Sequence, residues 1–352
     1  MSPHPIRSTS PCSPLDRAHD VVALARQLVS IPSPTGEEGE VASFLAHRLS
    51  SHGWMVDRQE VTPGRDNLYA RRGTPVVVLS THLDTVPGGP APREDSTTMW
   101  GRGIVDAKGI AAAMVTAAET LLDEGDDRVG LLFLVGEEDG SDGALAADRI
   151  PHKGRFLVNG EPTENRLAIG QKGTLRVALT ASGSAAHSGY PDLGRSAIDP
   201  LLDALHAIRS LALPVDPVLG PSTLNIGRLA GGVAPNVIPP HASAELLIRT
   251  VGPSALIRDA ITAAVTPLGV GVGFPLEILP VRSAPLEGWA TTVVSYTSDW
   301  PLLSAWGTGY QLGPGSIRVA HTDDERITKA ELRDGVASYV RLVRTLLESV
   351  RP

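Results

Sequence analysis

At 352 residues the chain is long for a single hydrophobic core, so two domains are expected. With 42% hydrophobic and 20% charged residues and a formal charge of −8, it reads as an ordinary globular protein. It has no basic run for nucleic acid or an anionic membrane, which excludes both as partners.

The N-terminal MSPHPIRSTSPCSPLDR lacks the apolar core of a signal peptide and reads as a disordered tail over residues 1–17. The single cysteine, Cys12, lies in it, so neither an internal disulfide nor a thiolate-ligated zinc is expected. No apolar stretch approaches membrane-spanning length, and a cytoplasmic location is the simplest expectation. DRAHDVVALARQLVSI repeats apolar residues with helical period. GEVASFLAHRLSSHG forms a second amphipathic helix ending at Gly53, with Thr35 a candidate N-cap and Glu38 three positions on.

PVVVLST, VGLLFLVG and RFLVNG are continuous apolar runs, the pattern of strands buried on both faces, and the Ala-rich GIAAAMVTAAETLLDEG is a helix between the first two. Their alternation predicts an α/β fold with a doubly wound, mainly parallel sheet. After Gly170 the pattern changes. TLRVALTASG, SAIDPLLDALHAIRSL, STLNIGRLAGG, SAELLIRTVG, SALIRDAITAAVTPL and GVGFPLEILP follow in β-α-β-β-α-β order, the ferredoxin-like split motif. TTVVSY, GTGYQLGPG and the closing helix KAELRDGVASYVRLVRTLLESV then resume the α/β character. The expected organisation is an α/β domain from residues 18–170 and 282–352, with a ferredoxin-like α+β domain of residues 171–281 inserted in it.

Acidic and histidine residues recur just beyond the apolar runs: His82 and Asp84 in STHLDTVP, Asp106 in GRGIVDAKG, Glu137 and Glu138 in GEEDG, Glu161 in NGEPT, and His321 in GPGSIRVAHTDDE. Ligands of open α/β sheets gather beyond the carboxyl ends of the strands. Imidazole and carboxylate donors suit zinc and similar divalent ions, and a two-metal site needs a shared oxygen ligand and a base. Alone, each residue has a bland explanation: Asp106 as a helix cap, the Glu-Glu-Asp run as a solvated loop. Together they read as a two-metal hydrolase site, with Asp84 available to orient His82. Of Glu137 and Glu138, one can ligate and the other move a proton, provided that the backbone turns there, which Asp139–Gly143 is expected to supply.

These segments resemble the zinc-dependent amidohydrolase and exopeptidase family of acetylornithine deacetylase, succinyl-diaminopimelate desuccinylase, aminoacylase and the glutamate carboxypeptidases, over nearly the whole chain from about residue 20. The resemblance implies two zinc ions, with cobalt or manganese as alternatives. One would sit on His82, Asp106 and Glu161 and the other on Asp106, Glu138 and His321, with Asp106 bridging. It further implies Glu137 as general base, Asp84 behind His82, and a cis Asp106–Ala107 peptide bond. In the inserted domain it implies a lid and dimerisation role. His187 would reach across a dimer to the scissile carbonyl, Asn236 would touch substrate, and Arg249 would bind a substrate carboxylate. Gly315 and Ser316, in the GPGS segment, would wall the substrate.

GPGSIRVAHTDDE is similar to acetylornithine and acetylcitrulline deacetylases, and VDAKG to carrier-bound lysine hydrolases and carboxypeptidases. The first expectation is therefore deacetylation of a small N-acyl-L-amino acid such as N-acetylornithine or acetylcitrulline, in arginine or lysine biosynthesis, by a homodimer. The alternatives are release of lysine or ornithine from an amino-group carrier protein, and a metallo-carboxypeptidase or dipeptidase. A non-catalytic binding relative would betray itself by a lost ligand or base, and none is lost.

Overall fold

The computed structural model describes residues 20–150 and 154–350. The tail expected at 1–17, with Cys12, lies outside them. The first elements are α1 (Val21–Val29), α2 (Gly39–Ser51), β1 (Met55–Thr62), β2 (Arg65–Arg71), β3 (Val77–His82), β4 (Arg93–Glu94), β5 (Thr98–Trp100), α3 (Lys108–Asp123), β6 (Val129–Leu134), α4 (Asp142–Ala147) and β7 (Phe156–Asn159). There follow β8 (Leu167–Gln171), β9 (Gly173–Ser182), α5 (Ile198–Arg209), β10 (Val215–Asp216), β11 (Gly220–Pro221), β12 (Thr223–Gly231), β13 (His241–Thr250), α6 (Ala255–Val265), β14 (Gly271–Ile278), β15 (Val281–Arg282) and β16 (Thr291–Val294). The last are β17 (Thr308–Gln311), β18 (Arg326–Thr328) and α7 (Lys329–Glu348). Among the described residues no helix is long and apolar enough to cross a membrane.

The chain divides into two compact units, one running to Arg166 and resuming at Leu303, the other Leu167–Leu302. In the first, strands follow the order β1-β2-β6-β3-β7-β17. β6, β3, β7 and β17 are parallel, and the β1–β2 hairpin joins antiparallel at the edge. β3 and β6 are buried at every position, as their unbroken apolar runs require. α3 packs on both strands and against α1 and α7; its alanines at 111–113, 117 and 118 are all buried, and their small side chains allow the close approach. Asp20 caps α1 through the Val22 N–H at 3.0 Å, and a Thr328–Glu331 capping box opens α7.

The start of α2 differs from expectation. Its N-cap is Glu38, which makes no capping bond. The chain turns earlier, at Gly36 (φ 99°), which frees Thr35 to donate its hydroxyl to Asp84 at 2.7 Å. Glu38 is instead fully buried, held by two Arg65 nitrogens at 2.8 Å each. The β1–β2 hairpin left no mark in the sequence reading because β1 is charged and largely exposed along its length.

In the second unit a four-stranded antiparallel sheet has the order β12-β13-β9-β14. With α5 and α6 this is the expected split motif, and the unit also contains β8, paired parallel to β16 and antiparallel to β15. β9 and β13 alternate buried and exposed positions. Their inward residues, among them Leu175, Val177, Leu246 and Ile248, form one core with Leu201, Leu205, Ile208, Ile257 and Ile261 of the two helices.

Candidate active site

All seven acidic and histidine residues singled out in the sequence meet in the first unit. His82 closes β3, and its ring is buried. Nε2 lies 3.0 Å from Asp106 Oδ1, and Nδ1 lies 3.0 Å from the Asp84 carbonyl and 3.3 Å from its carboxylate. Asp106 precedes α3 without capping it, since the N-cap is Ala107, and the Asp106–Ala107 peptide bond is cis. The other Asp106 oxygen stands 3.3 Å from His321 Nε2, which also meets Glu138 Oε1 at 2.9 Å. His321 itself occupies left-handed backbone (φ 62°) in an exposed loop. Two groups thus have ligand atoms within 4.8 Å of one another: His82, Asp106 and Glu161, and Asp106, Glu138 and His321.

The turn that lets adjacent glutamates serve one centre begins before them. Gly136 is left-handed (φ 76°), and a 3₁₀ turn runs from Glu137 to Asp139. A side chain at Gly136 would run into Asp142 and Arg65. Asp84 then takes the Glu137 N–H on Oδ1 and the Glu138 N–H on Oδ2, both at 3.1 Å. Glu137 belongs to neither ligand group, yet its charge acts on His82.

The electrostatics are those of imidazoles and carboxylates crowded together. Burial alone would push the His82 imidazolium down, but hydrogen bonds to Asp106 and Asp84 outweigh it and hold its pKa well above the usual value. Asp106 and Glu138 raise His321 to about 10. Burial works against the Asp106 carboxylate, and the two histidines overcome it and hold it far below the carboxylate range. Two imidazole nitrogens and three carboxylates converging in this way fit a pair of divalent cations, which would replace those protons.

Several supporting residues escaped the sequence reading. Asn67 in β2 accepts the Val135 N–H at 3.1 Å and donates to the Gly143 carbonyl at 2.8 Å, closing the base of the Glu137 loop. Arg65 reaches Asp142 at 2.6 Å in the same loop. Glu325, fully buried, accepts the N–H groups of Val105 and Asp106. Tyr339 of α7 donates to the Leu312 carbonyl at 2.6 Å, close to Gly160 and Gly313, where a side chain would not fit. Their sequence surroundings are a partly polar strand, a polar loop and an amphipathic helix, with no local sign of these contacts.

The Gly313–Ser316 segment runs against the loop that carries Glu161. Thr163 N–H donates to Gly313 at 3.2 Å, Glu164 N–H to Gly315 at 2.9 Å, and Ser316 to the Glu164 carboxylate at 2.8 Å. In the second unit His187 is exposed, bridged through its backbone to Val237, while the Asn236 carbonyl accepts the Ser188 N–H at 3.0 Å. Arg249 sits near the far end of β13, its guanidinium donating to Thr174 and Thr297 hydroxyls at 2.7 and 3.0 Å.

The family profile described as Peptidase family M20/M25/M40 matches residues 78–345. A probable carboxypeptidase of Aspergillus clavatus is 37% identical, across 95% of this chain and 84% of that protein. Among solved structures, a Staphylococcus aureus tripeptidase superposes with a TM-score of 0.78 at 21% identity, over 94% of this chain and 99% of its own. An M20 family metallo-carboxypeptidase of Sulfolobus solfataricus does so at 0.76 and 17%, over 93% and 99%. At these identities the structural likenesses establish the fold.

Proposed function

The chain belongs to peptidase family M20/M25/M40, and on that footing we propose that it is a metallo-exopeptidase of carboxypeptidase or dipeptidase type, hydrolysing the amide bond beside a free C-terminal carboxylate. The observation that carries this reading is Asp106, shared between two ligand groups, with Glu137 beside them on the Glu138 turn. His82, Asp106 and Glu161 would hold one cation, and Asp106, Glu138 and His321 the other. When bound, two divalent ions, zinc first with cobalt or manganese as alternatives, would polarise the scissile carbonyl and acidify water. Glu137 takes the proton from the attacking water and returns it to the leaving amine, so one C–N bond breaks as one C–O and one N–H bond form. Asp84 keeps the His82 ring in a single orientation. Arg249 takes the substrate carboxylate on its planar fork, and Asn236 and the Gly315–Ser316 backbone are further substrate-contacting groups.

A homodimer is part of the proposal. His187 lies beyond the end of β9, bridged to Val237 ahead of β13, whereas Arg249 lies near the end of β13, opposite Thr174 at the start of β9. The two thus belong to opposite ends of the β9–β13 pair, and a second copy would supply His187 to the site that Arg249 serves. β12 lies at the edge of the lid sheet and carries exposed Leu229, with exposed Leu202 and Val233 nearby in sequence or fold, which supports pairing through this unit.

N-acetylornithine or acetylcitrulline deacetylation uses the same chemistry, and GPGSIRVAHTDDE speaks for it. The carboxypeptidase name of the Aspergillus relative speaks for peptides. The deciding experiment offers zinc- or cobalt-loaded protein dipeptides, tripeptides, their C-terminal amides, acetylornithine, acetylcitrulline and succinyl-diaminopimelate. Turnover of the free peptides and not of the amides is expected; turnover of acetylornithine alone would overturn the peptidase reading.

A further inference from the structure

The segment that carries His321 ends in Glu325, a residue with no part in either ligand group. It is nevertheless completely buried. Pairing of β18 with β5 sets Arg326 opposite Trp100, which brings residue 325 against the Gly101–Asp106 turn. There its backbone carbonyl accepts the Gly101 N–H at 3.3 Å. Its Oε1 accepts the Val105 and Asp106 N–H groups at 3.0 and 3.3 Å, and its Oε2 takes the Arg102 guanidinium at 2.5 Å. Asp106 is therefore gripped twice by one segment: at its amide by Glu325, and at its carboxylate by His321, four residues earlier.

We propose that Glu325 is the positioning residue of the metal centre, clamping the backbone of Asp106 so that its two oxygens face His82 and His321 at once. The inference rests on the two-cation reading above. A carboxylate buried this deeply is costly unless fully partnered, and all of its partners belong to the Asp106 turn. It belongs to neither ligand group and acts through Asp106. Because Asp106 is common to both ligand groups, loosening it weakens both cations together.

The test is zinc competition against a chromophoric chelator on full-length wild type, Glu325→Gln and Glu325→Ala, together with urea unfolding of the metal-free proteins. Gln keeps an acceptor for the two N–H groups and is expected to bind zinc within about threefold of wild type. Ala is expected to bind both ions about 10–100-fold more weakly. A merely architectural Glu325 would lower the unfolding midpoint of both variants and leave the zinc affinity of folded protein unchanged, which overturns the proposal. Should the Ala variant not fold, Arg102→Gln decides: removal of the clamp on Oε2 is expected to weaken zinc by about three- to tenfold, and an unchanged affinity overturns the proposal. Wild type that binds no zinc at all would instead refute the two-cation reading itself.

Discussion

Asp84 Oδ1 accepts the backbone N–H of Glu137 at 3.1 Å, tying the end of β3 to the turn that carries the proposed base. The same carboxylate takes the Glu138 N–H, the Thr35 hydroxyl and the His82 ring. Asparagine at this position can offer only one acceptor oxygen and would turn an N–H₂ group toward donors. Asp84→Asn is expected to lower zinc affinity about 10–100-fold and turnover by a similar factor. Chelator competition beside steady-state kinetics checks it; full affinity and rate would mean that the four contacts are dispensable.

Glu137→Gln separates proton transfer from metal binding. The residue lies outside both ligand groups, so two zinc ions per chain should remain by mass spectrometry. Loss of the base should cost about 10²–10⁴-fold in kcat with little change in KM. A variant with near-normal kcat would remove Glu137 from the role.

Arg65 is the charge on which the foot of the Glu137 loop is built. It pairs with buried Glu38 and with Asp142, and these partners drive its own pKa further above the usual arginine range. Arg65→Met removes the guanidinium from buried Glu38, and roughly 3–5 kcal/mol of stability should be lost. Urea unfolding of the metal-free protein reads this directly, and an unmoved midpoint would contradict it.

If Arg249 recognises the C-terminal carboxylate, Arg249→Lys should raise KM for free peptides about tenfold or more while kcat stays within a few-fold. A fall in kcat with KM unchanged would mean that the change acts on the lid fold through Thr174 and Thr297.

What could be read in the sequence follows the range of the interactions. His82, Glu137 and Glu161 stand at or just beyond the ends of strands whose apolar runs are visible locally, and the split motif declares itself through alternating periods of 2 and 3.6. Glu325 looks like one more solvated acid in TDDE; only the β18–β5 register, which joins positions more than 200 residues apart, buries it. Glu38 mimics a capping glutamate for the same reason, since its true partner, Arg65, belongs to a hairpin without an apolar run. Contacts set by distant pairing leave no local pattern, and the supports of the site were lost to view where its ligands were not.

Glu138 and His321 touch across 183 positions of chain, with the whole second unit between them. During synthesis from the N-terminus, then, the ribosome releases every ligand of the first group and the entire lid before the last imidazole emerges. A product cut short ahead of it lacks the histidine of the second ligand group. Closing so long a loop also makes assembly of the centre a late event in folding. The order of the residues alone thus leaves every unfinished copy without a complete second ligand group.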